Sequence, residues 1–293
     1  MGIFTQLTIN GLIAGAIYAL VAAGFSLIYS TCKFIHFAHG ASIAFCGYFL
    51  YFLFSMLHVN FWLSVILAIV FAGLLGYGMD LIVYKQLRKR KASPLILLIA
   101  SLGLLIFLES LILILFGADI KTIGFIRVTQ GMEFLGARIT QLQVIIIVVS
   151  IILFILLFLF MKKSKMGKAM RAVANNKEVA EIVGISSERI YRWSFIIGSA
   201  IAGIAAILVG LEQNLEATMG TNLMIRGFTG SIVGGIGNVP SAIIGGFIIG
   251  FAENYGVWYL PSGYKEAIAF IILFIFLLFR PQGIFGIKKL IQK

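Results

Sequence analysis

The sequence predicts an all-α, polytopic bundle of transmembrane helices, and three observations predict it. Hydrophobic residues make up 61% of the 293 residues and charged residues only 12%, about half the roughly 25% of a soluble domain. Mean hydropathy is +1.07, so lipid is the solvent for most of the chain. The apolar residues gather in about eight runs separated by short charged connections.

The runs fall at 9–30, 34–57, 62–84, 94–116, 142–161, 191–211, 226–257 and 266–280. A helix crosses a bilayer in about 20 residues at a rise of about 1.5 Å each. Most runs fit one helix; 266–280 is short unless Tyr264 and the Arg280-Pro281 end extend it. No long hydrophilic stretch interrupts them, so residues 1–293 read as one membrane domain.

Charge orients the helices. The net charge is +12, yet the basic residues do not form a nucleic-acid footprint. Apart from Lys121, Arg127, Arg138, Arg226 and Lys265, every Lys and Arg is Lys33 or lies in 85–91, 162–192 or 280–293. Clusters between apolar runs follow the positive-inside rule. Lys85, Arg88, Lys89, Arg90 and Lys91 face the cytoplasm, as do Lys162, Lys163, Lys165, Lys168, Arg171 and Lys177. Arg280, Lys288, Lys289 and Lys293 put the C-terminus on the same side. The segments 117–141 and 212–225, the latter with Glu212 and Glu216, face outside. Parity leaves the side of the N-terminus open. Met1-Gly2-Ile3-Phe4-Thr5-Gln6 has no basic n-region and no cleavage site, so no removed signal peptide is expected. Cys32 and Cys46 have no metal-ligand spacing and make no disulfide framework.

With residue 215 outside and 285 inside, the last run supplies one crossing, and 226–257 must begin and end outside. The chain breaks at Gly234-Gly235-Ile236-Gly237-Asn238-Val239-Pro240, because glycine and proline lower helix stability. A hairpin is expected, descending near 226–236 and returning near 241–257. Membranes tolerate such a break only inside protein or beside water, and transporters place solute paths there. The run 34–57, opening Phe34-Ile35-His36-Phe37-Ala38-His39-Gly40, reads as a possible counterpart in an internally duplicated chain. Small residues at four-residue spacing (Gly11, Gly15, Ala19; Gly198, Ala202, Ala206; Gly246, Gly250) bring helices close, within one subunit or between two.

The longest cytoplasmic connection, within 162–190, is amphipathic. Met170, Val173, Val179, Ile182 and Val183 are its apolar positions, Asn175-Asn176 splits it into two short helices, and Gly184 reads as a C-cap. Such a module needs either the lipid surface or a partner groove. The chain has no Gly-x-x-x-x-Gly-Lys-Ser/Thr loop; any ATP driving it would be bound by another polypeptide.

Nearly the whole length resembles the LivH-type permeases of branched-chain amino acid ABC importers. The stretch Gly11 to Tyr29 is similar to the family's first span. Phe37-Ala38-His39-Gly40 is similar to its Asn-Phe-Ala-His-Gly signature, with His36 where the family usually has Asn. Gly167, Met170-Arg171-Ala172-Val173-Ala174, Ala180 and Gly184-Ile185 resemble its coupling loop. Gly234-Gly235-Ile236-Gly237-Asn238, Gly245-Gly246, Gly250 and Glu253 resemble its late glycine-rich segment, and Arg280-Pro281-Gln282-Gly283-Ile284-Phe285-Gly286 its ending. The resemblance implies a bacterial inner-membrane permease with no cofactor of its own. It further implies two ATPase subunits, a second homologous permease chain (identical or not) and an extracytoplasmic solute-binding protein. Gly167, Met170, Arg171, Ala172, Ala180 and Gly184 would couple to the ATPase. Because related permeases carry urea, amides or other small solutes, a branched-chain amino acid is the leading substrate among several.

Path candidates are His36, His39, Gly40, Glu109, Gly234, Gly235, Gly237, Asn238 and Glu253. His36 and His39 are three apart and share a helical face; they line the path, cap a broken helix or make structural hydrogen bonds. Glu109 lies about 10 Å from the outer end of its helix at about 1.5 Å per residue. It binds a substrate ammonium, titrates, or pairs with Arg127 or Arg138. Glu253 and Asn254 read as substrate or docking contacts, or as an interfacial helix end. Asp80 is expected to meet Lys85 or Arg88, and Arg226 to anchor the hairpin at the interface. Trp62, Trp193 and Trp258 fit an aromatic belt. An ion-coupled transporter or channel would need more central carboxylates than Glu109, and an intramembrane enzyme more than a histidine pair.

Overall fold

The structure is a computed structural model that describes residues 2–125, 131–134 and 136–286. Lys288, Lys289 and Lys293, which orient the C-terminus in the sequence, and Arg127 lie outside the described residues. Twelve α-helices appear among the described residues. Six spans are long and apolar enough to cross a membrane: α1 (Gly2–Cys32), α2 (His39–Tyr51) with the turn after it, α3 (Phe61–Met79) with its extension, α5 (Pro94–Phe116), α6 (Gln141–Lys163) and α9 (Ser187–Glu212); α12 (Lys265–Phe279), at 15 residues, is shorter. Helices α10 (Met219–Gly234) and α11 (Val239–Gly256) form a pair bent by 116° at its break, the expected hairpin. The short α4 (Lys85–Lys89), α7 (Lys165–Asn175) and α8 (Lys177–Ile182) lie on the basic side. A hairpin of β1 (Met132–Phe134) and β2 (Ala137–Ile139) covers part of the other side.

Local chemistry sets these ends. Asn60, Ser93, Thr140, Ser164 and Asn176 each accept a backbone N–H at the start of the helix that follows, satisfying donors that lipid cannot. Thr140 and Gln143 form a reciprocal capping box on α6. Gly184, at φ +84°, ends the second cytoplasmic helix as a left-handed cap. Helices α2 and α3 each continue through a π-turn, Phe52–Met56 and Asp80–Tyr84.

The N-terminus is settled by contact. Gln6 donates to the Arg138 carbonyl (3.1 Å) and accepts the Arg138 N–H (2.8 Å). The start of α1 therefore sits beside the 117–141 segment, on the side opposite the basic loops. The segment 34–57 is one crossing rather than a second hairpin: a turn at 33–38, then α2 with its π-turn.

The core is α1 wrapped by α9, α10 and α11. Of α1's most apolar stretch, 89% is buried. Helix α11 runs antiparallel to it: a Cβ on Gly11 or Gly15 would strike Phe251 or Phe247, and one on Gly246 would strike the Ala19 backbone. The small-residue stripes thus pack helices within this chain, and Gly198 against Gly24 and Ile28 does the same for α9.

Candidate translocation site

The hairpin tip reaches nearly across the bundle. Gly237 packs beside Tyr29 and Ser30, at the cytoplasmic end of α1. Gly235 and Gly237 have φ of +131° and +86°, where any side chain is strained. Asn238 stands at the N-cap position of α11, with Pro240 in its first turn. Gly234 touches the Ser241 carbonyl so closely that a Cβ has no room. Beneath the tip lies the Arg280–Gly286 turn. Ile284 donates its N–H to the Val233 carbonyl (2.8 Å) and Phe285 to that of Gly234 (3.0 Å). These bonds satisfy the last carbonyls of α10, which would otherwise be orphaned.

The descending arm differs from expectation. Helix α10 starts at Met219, seven residues before the predicted 226. Its polar residues Thr221, Asn222 and Arg226 hid the helix from a hydropathy reading, because they face protein and a cavity rather than lipid. Arg226 is consequently in mid-helix and is not an interfacial anchor.

Arg226 meets Glu253, which is fully buried. The guanidinium Nε donates to Glu253 Oε1 at 3.0 Å, and Nη2 lies 3.6 Å from Glu266. The Tyr18 hydroxyl donates to the second Glu253 oxygen at 2.7 Å, and Arg226 stands over the Tyr18 ring at 5.5 Å. One carboxylate thus ties α1 to α10 and α11, with α12 joined through Glu266. A charge at such depth persists only when paired and hydrogen-bonded. Glu253 is therefore not an interfacial helix end. Asn254 beside it donates to the Gly250 carbonyl at 2.8 Å.

Glu109 accepts a hydrogen bond from Thr221 in the first turn of α10, where the helix dipole favours an anion. Neither basic side chain expected as its partner is seen there: Arg127 is outside the described residues, and Arg138 lends its backbone to Gln6.

His36 and His39 are fully buried, at the turn that opens α2. His36 Nδ1 and the Tyr84 hydroxyl are 2.9 Å apart, and the two imidazole centroids 6.0 Å. Ser101 steadies the same turn, accepting the Phe37 N–H (3.2 Å) and donating to the Ile35 carbonyl (3.3 Å). Gly40 is a crossing point: a Cβ there would meet the Gly220 carbonyl at 2.8 Å, where α10 passes α2.

A cavity of about 410 Å³ opens beside α10, lined by Val209, Gln213, Asn214, Glu216, Met219, Asn222, Leu223 and Arg226. None of the nine path candidates is in this lining; Glu253 touches it only through Arg226. The sequence carried a weak signal for it, since a polar helix inside an apolar chain has to face something polar.

On the basic side the module splits into two surfaces. Gly167, Met170, Val173 and Ala180 are buried, Ala172 is half-buried, and Arg171 and Gly184 are exposed. Gly167 sits against Phe160 and Met161 with no room for a Cβ. By contrast Val179, Ile182 and Val183 are 54%, 83% and 68% exposed. Arg88 anchors the module's exit. It pairs with Asp80 at 2.8 Å, as the sequence foretold, and with both Glu188 oxygens at 3.1 and 2.9 Å. Its guanidinium covers the Tyr191 ring at 4.8 Å, which Lys177 of α8 also approaches at 5.9 Å. Ser187 donates to Glu181 of α8. Among the described residues, no three His, Cys, Asp or Glu gather as a metal site.

The family model for the branched-chain amino acid transport system permease component matches residues 7–277. The chain belongs to that family. It is 32% identical over 298 residues to the high-affinity branched-chain amino acid transport system permease protein BraD of Pseudomonas aeruginosa, covering 97% of this chain and 96% of that protein. Identity to the permease protein LivH of Escherichia coli K12 is also 32%, over 97% of this chain and 96% of that one. The LivH permease protein of Methanocaldococcus jannaschii is 30% identical, covering 96% and 93%. Among solved structures, PsaBC from Streptococcus pneumoniae in complex with Fab shares the fold, with a TM-score of 0.52 at 16% identity over 93% of this chain and 91% of that one. This family member is a multi-pass membrane permease component of a transport system.

Proposed function

We propose that this permease carries branched-chain amino acids inward across the cytoplasmic (bacterial inner) membrane as the membrane subunit of an ATP-driven importer. Two ATPase subunits, a second permease chain of the same fold and an extracytoplasmic binding protein complete the assembly. The substrate assignment draws on the names of the relatives. The reading of the drive rests on one observation: α8 is pinned to the bundle through Ser187, Lys177 and Tyr191, yet turns Val179, Ile182 and Val183 outward. A rigidly mounted apolar face on the cytoplasmic side matches a partner groove better than lipid, because a surface helix held by lipid needs no such mounting. Gly167, Met170 and Ala180 hold the module on the bundle, Ala172 supports it from a half-buried position, and Arg171 and Gly184 lie on its exposed side. Motion of the seated ATPase then passes through α8 and Arg88 to α3 and α9.

Reconstituted with its partners in proteoliposomes, the assembly is expected to accumulate leucine only when ATP is supplied to the cytoplasmic face. Gly184→Pro or Arg171→Glu should abolish that uptake while the protein still reaches the membrane at normal yield. Normal uptake by both variants would remove the coupling role. Uptake without nucleotide would replace the ATP-driven reading with an ion-coupled one.

A further inference from the structure

The proposed function says what is carried but not what in this chain touches it. We propose that the outer cavity is a binding site for a zwitterionic aliphatic α-amino acid, with Arg226 engaging its carboxylate and Glu216 its ammonium. The proposal rests on the amino-acid permease reading and extends it to named groups.

The lining supplies three kinds of surface. Met219, Asn222, Leu223 and Arg226 recur at three- and four-residue steps, so they share one face of α10. Arg226 and Glu216, which lies just before the helix, line the same cavity. Arg226 offers five N–H donors; only Nε and Nη2 contact Glu253 and Glu266, which leaves donors for a further carboxylate. The charge balance permits this. Lys265, whose ammonium is 3.5 Å from Asn254 Oδ1, offsets the second acidic group, so the cluster at the cavity floor is neutral overall.

Glu216 is exposed, and among the described residues its carboxylate has no hydrogen bond or ion pair. It is an anion on a cavity wall with no ion pair among the described residues. Val209, Met219 and Leu223 give an apolar wall for the aliphatic chain, and Asn214 and Asn222 give amide contacts. A sugar needs no opposed charges, and a simple anion would be repelled by Glu216. A molecule with a carboxylate, an ammonium and an aliphatic chain uses all three surfaces. The volume of about 410 Å³ leaves room for waters at about 30 Å³ each, which suits a transit site.

The test places a reporter on the rim. In the complete transporter in nanodiscs, without binding protein, Gln213→Cys is labelled with a membrane-impermeant thiol reagent. The parent chain, with Cys46 buried and Cys32 largely so, gives the background. Leucine should slow labelling in a saturable way. Leucine amide, which lacks the carboxylate, and 4-methylpentanoate, which lacks the ammonium, should each need about tenfold more for the same protection. Adding Glu216→Gln should raise leucine's half-protecting concentration by about tenfold and lower that of 4-methylpentanoate, which is relieved of a repelling charge. Equal protection by all three compounds, or none by leucine, overturns the site. ATP-driven leucine uptake in the same preparation decides the permease reading separately: uptake with an unprotected cysteine sinks the site and leaves that reading standing.

Discussion

Helices α1 and α6 both cross the membrane, and they invert the rule that serves soluble proteins. The most apolar stretch of α6 is 17% buried, whereas that of α1, which is less apolar, is 89% buried. Lipid solvates the bulky Ile, Leu and Phe of α6, so hydrophobicity there records contact with solvent. Helix α1 is buried because Gly11, Gly15, Ala19 and Gly24 let neighbours approach to backbone distance. With no hydrophobic drive between helices in lipid, close packing and interior polar bonds hold the bundle. In this chain small residues mark the closest helix contacts, large apolar side chains such as Phe25 and Leu27 fill the core around them, and others of the same kind face outward on α6.

Substitutions at the α1–α11 seam should sharpen that contrast most. Gly250→Leu forces a side chain into the Gly15 backbone and is expected to eliminate the monodisperse protein in size-exclusion of detergent extracts. A normal elution profile would mean that the seam is not tightly packed. Next in size is Glu253→Ala. It leaves Arg226 and Tyr18 without their shared acceptor and should cost about 3–5 kcal/mol, read as a large fall in thermal stability. The double variant Glu253→Gln, Arg226→Gln should recover much of the loss; no recovery would assign the effect to shape rather than charge. His36→Asn is smaller. Asn can still bond the Tyr84 hydroxyl but gives up the ring packing with Phe195 (centroids 4.9 Å), about 1–3 kcal/mol by analogy with core substitutions. A gain in stability would show that the imidazole was strained. The smallest effect belongs to α6. Ile152→Leu, half exposed to lipid, should stay within about 0.5 kcal/mol of the parent; a larger loss would reveal a protein contact on that face.

The architecture was legible in the sequence where lipid imposes rules. Run lengths gave the crossings, loop charge gave their direction, and parity together with Gly234 to Pro240 gave the hairpin. The cytoplasmic helix pair was equally plain, because Asn176 and Gly184 are strong terminal signals. Side-chain partners were plain only when close in sequence, as for Asp80 and Arg88. Those far apart were not: Tyr18, Arg226 and Glu253 meet across three helices, and Glu188 finds Arg88 from a hundred positions away. The cavity escaped because its lining begins in a segment read as a loop, and because α10 is too polar to look like a membrane helix. The histidines drew notice through their cost in lipid; Tyr84 meets His36 Nδ1, and neither ring lines the cavity.

The turn at Arg280–Gly286 has a bearing on how the molecule is made. It closes the underside of a re-entrant pair that leaves the ribosome earlier, so the final carbonyls of α10 wait for α12 to be inserted before they gain their partners. The hairpin tip is therefore among the last parts of the molecule to be completed, because its closing donors, Ile284 and Phe285, lie some fifty residues beyond the Val233 and Gly234 carbonyls that they meet.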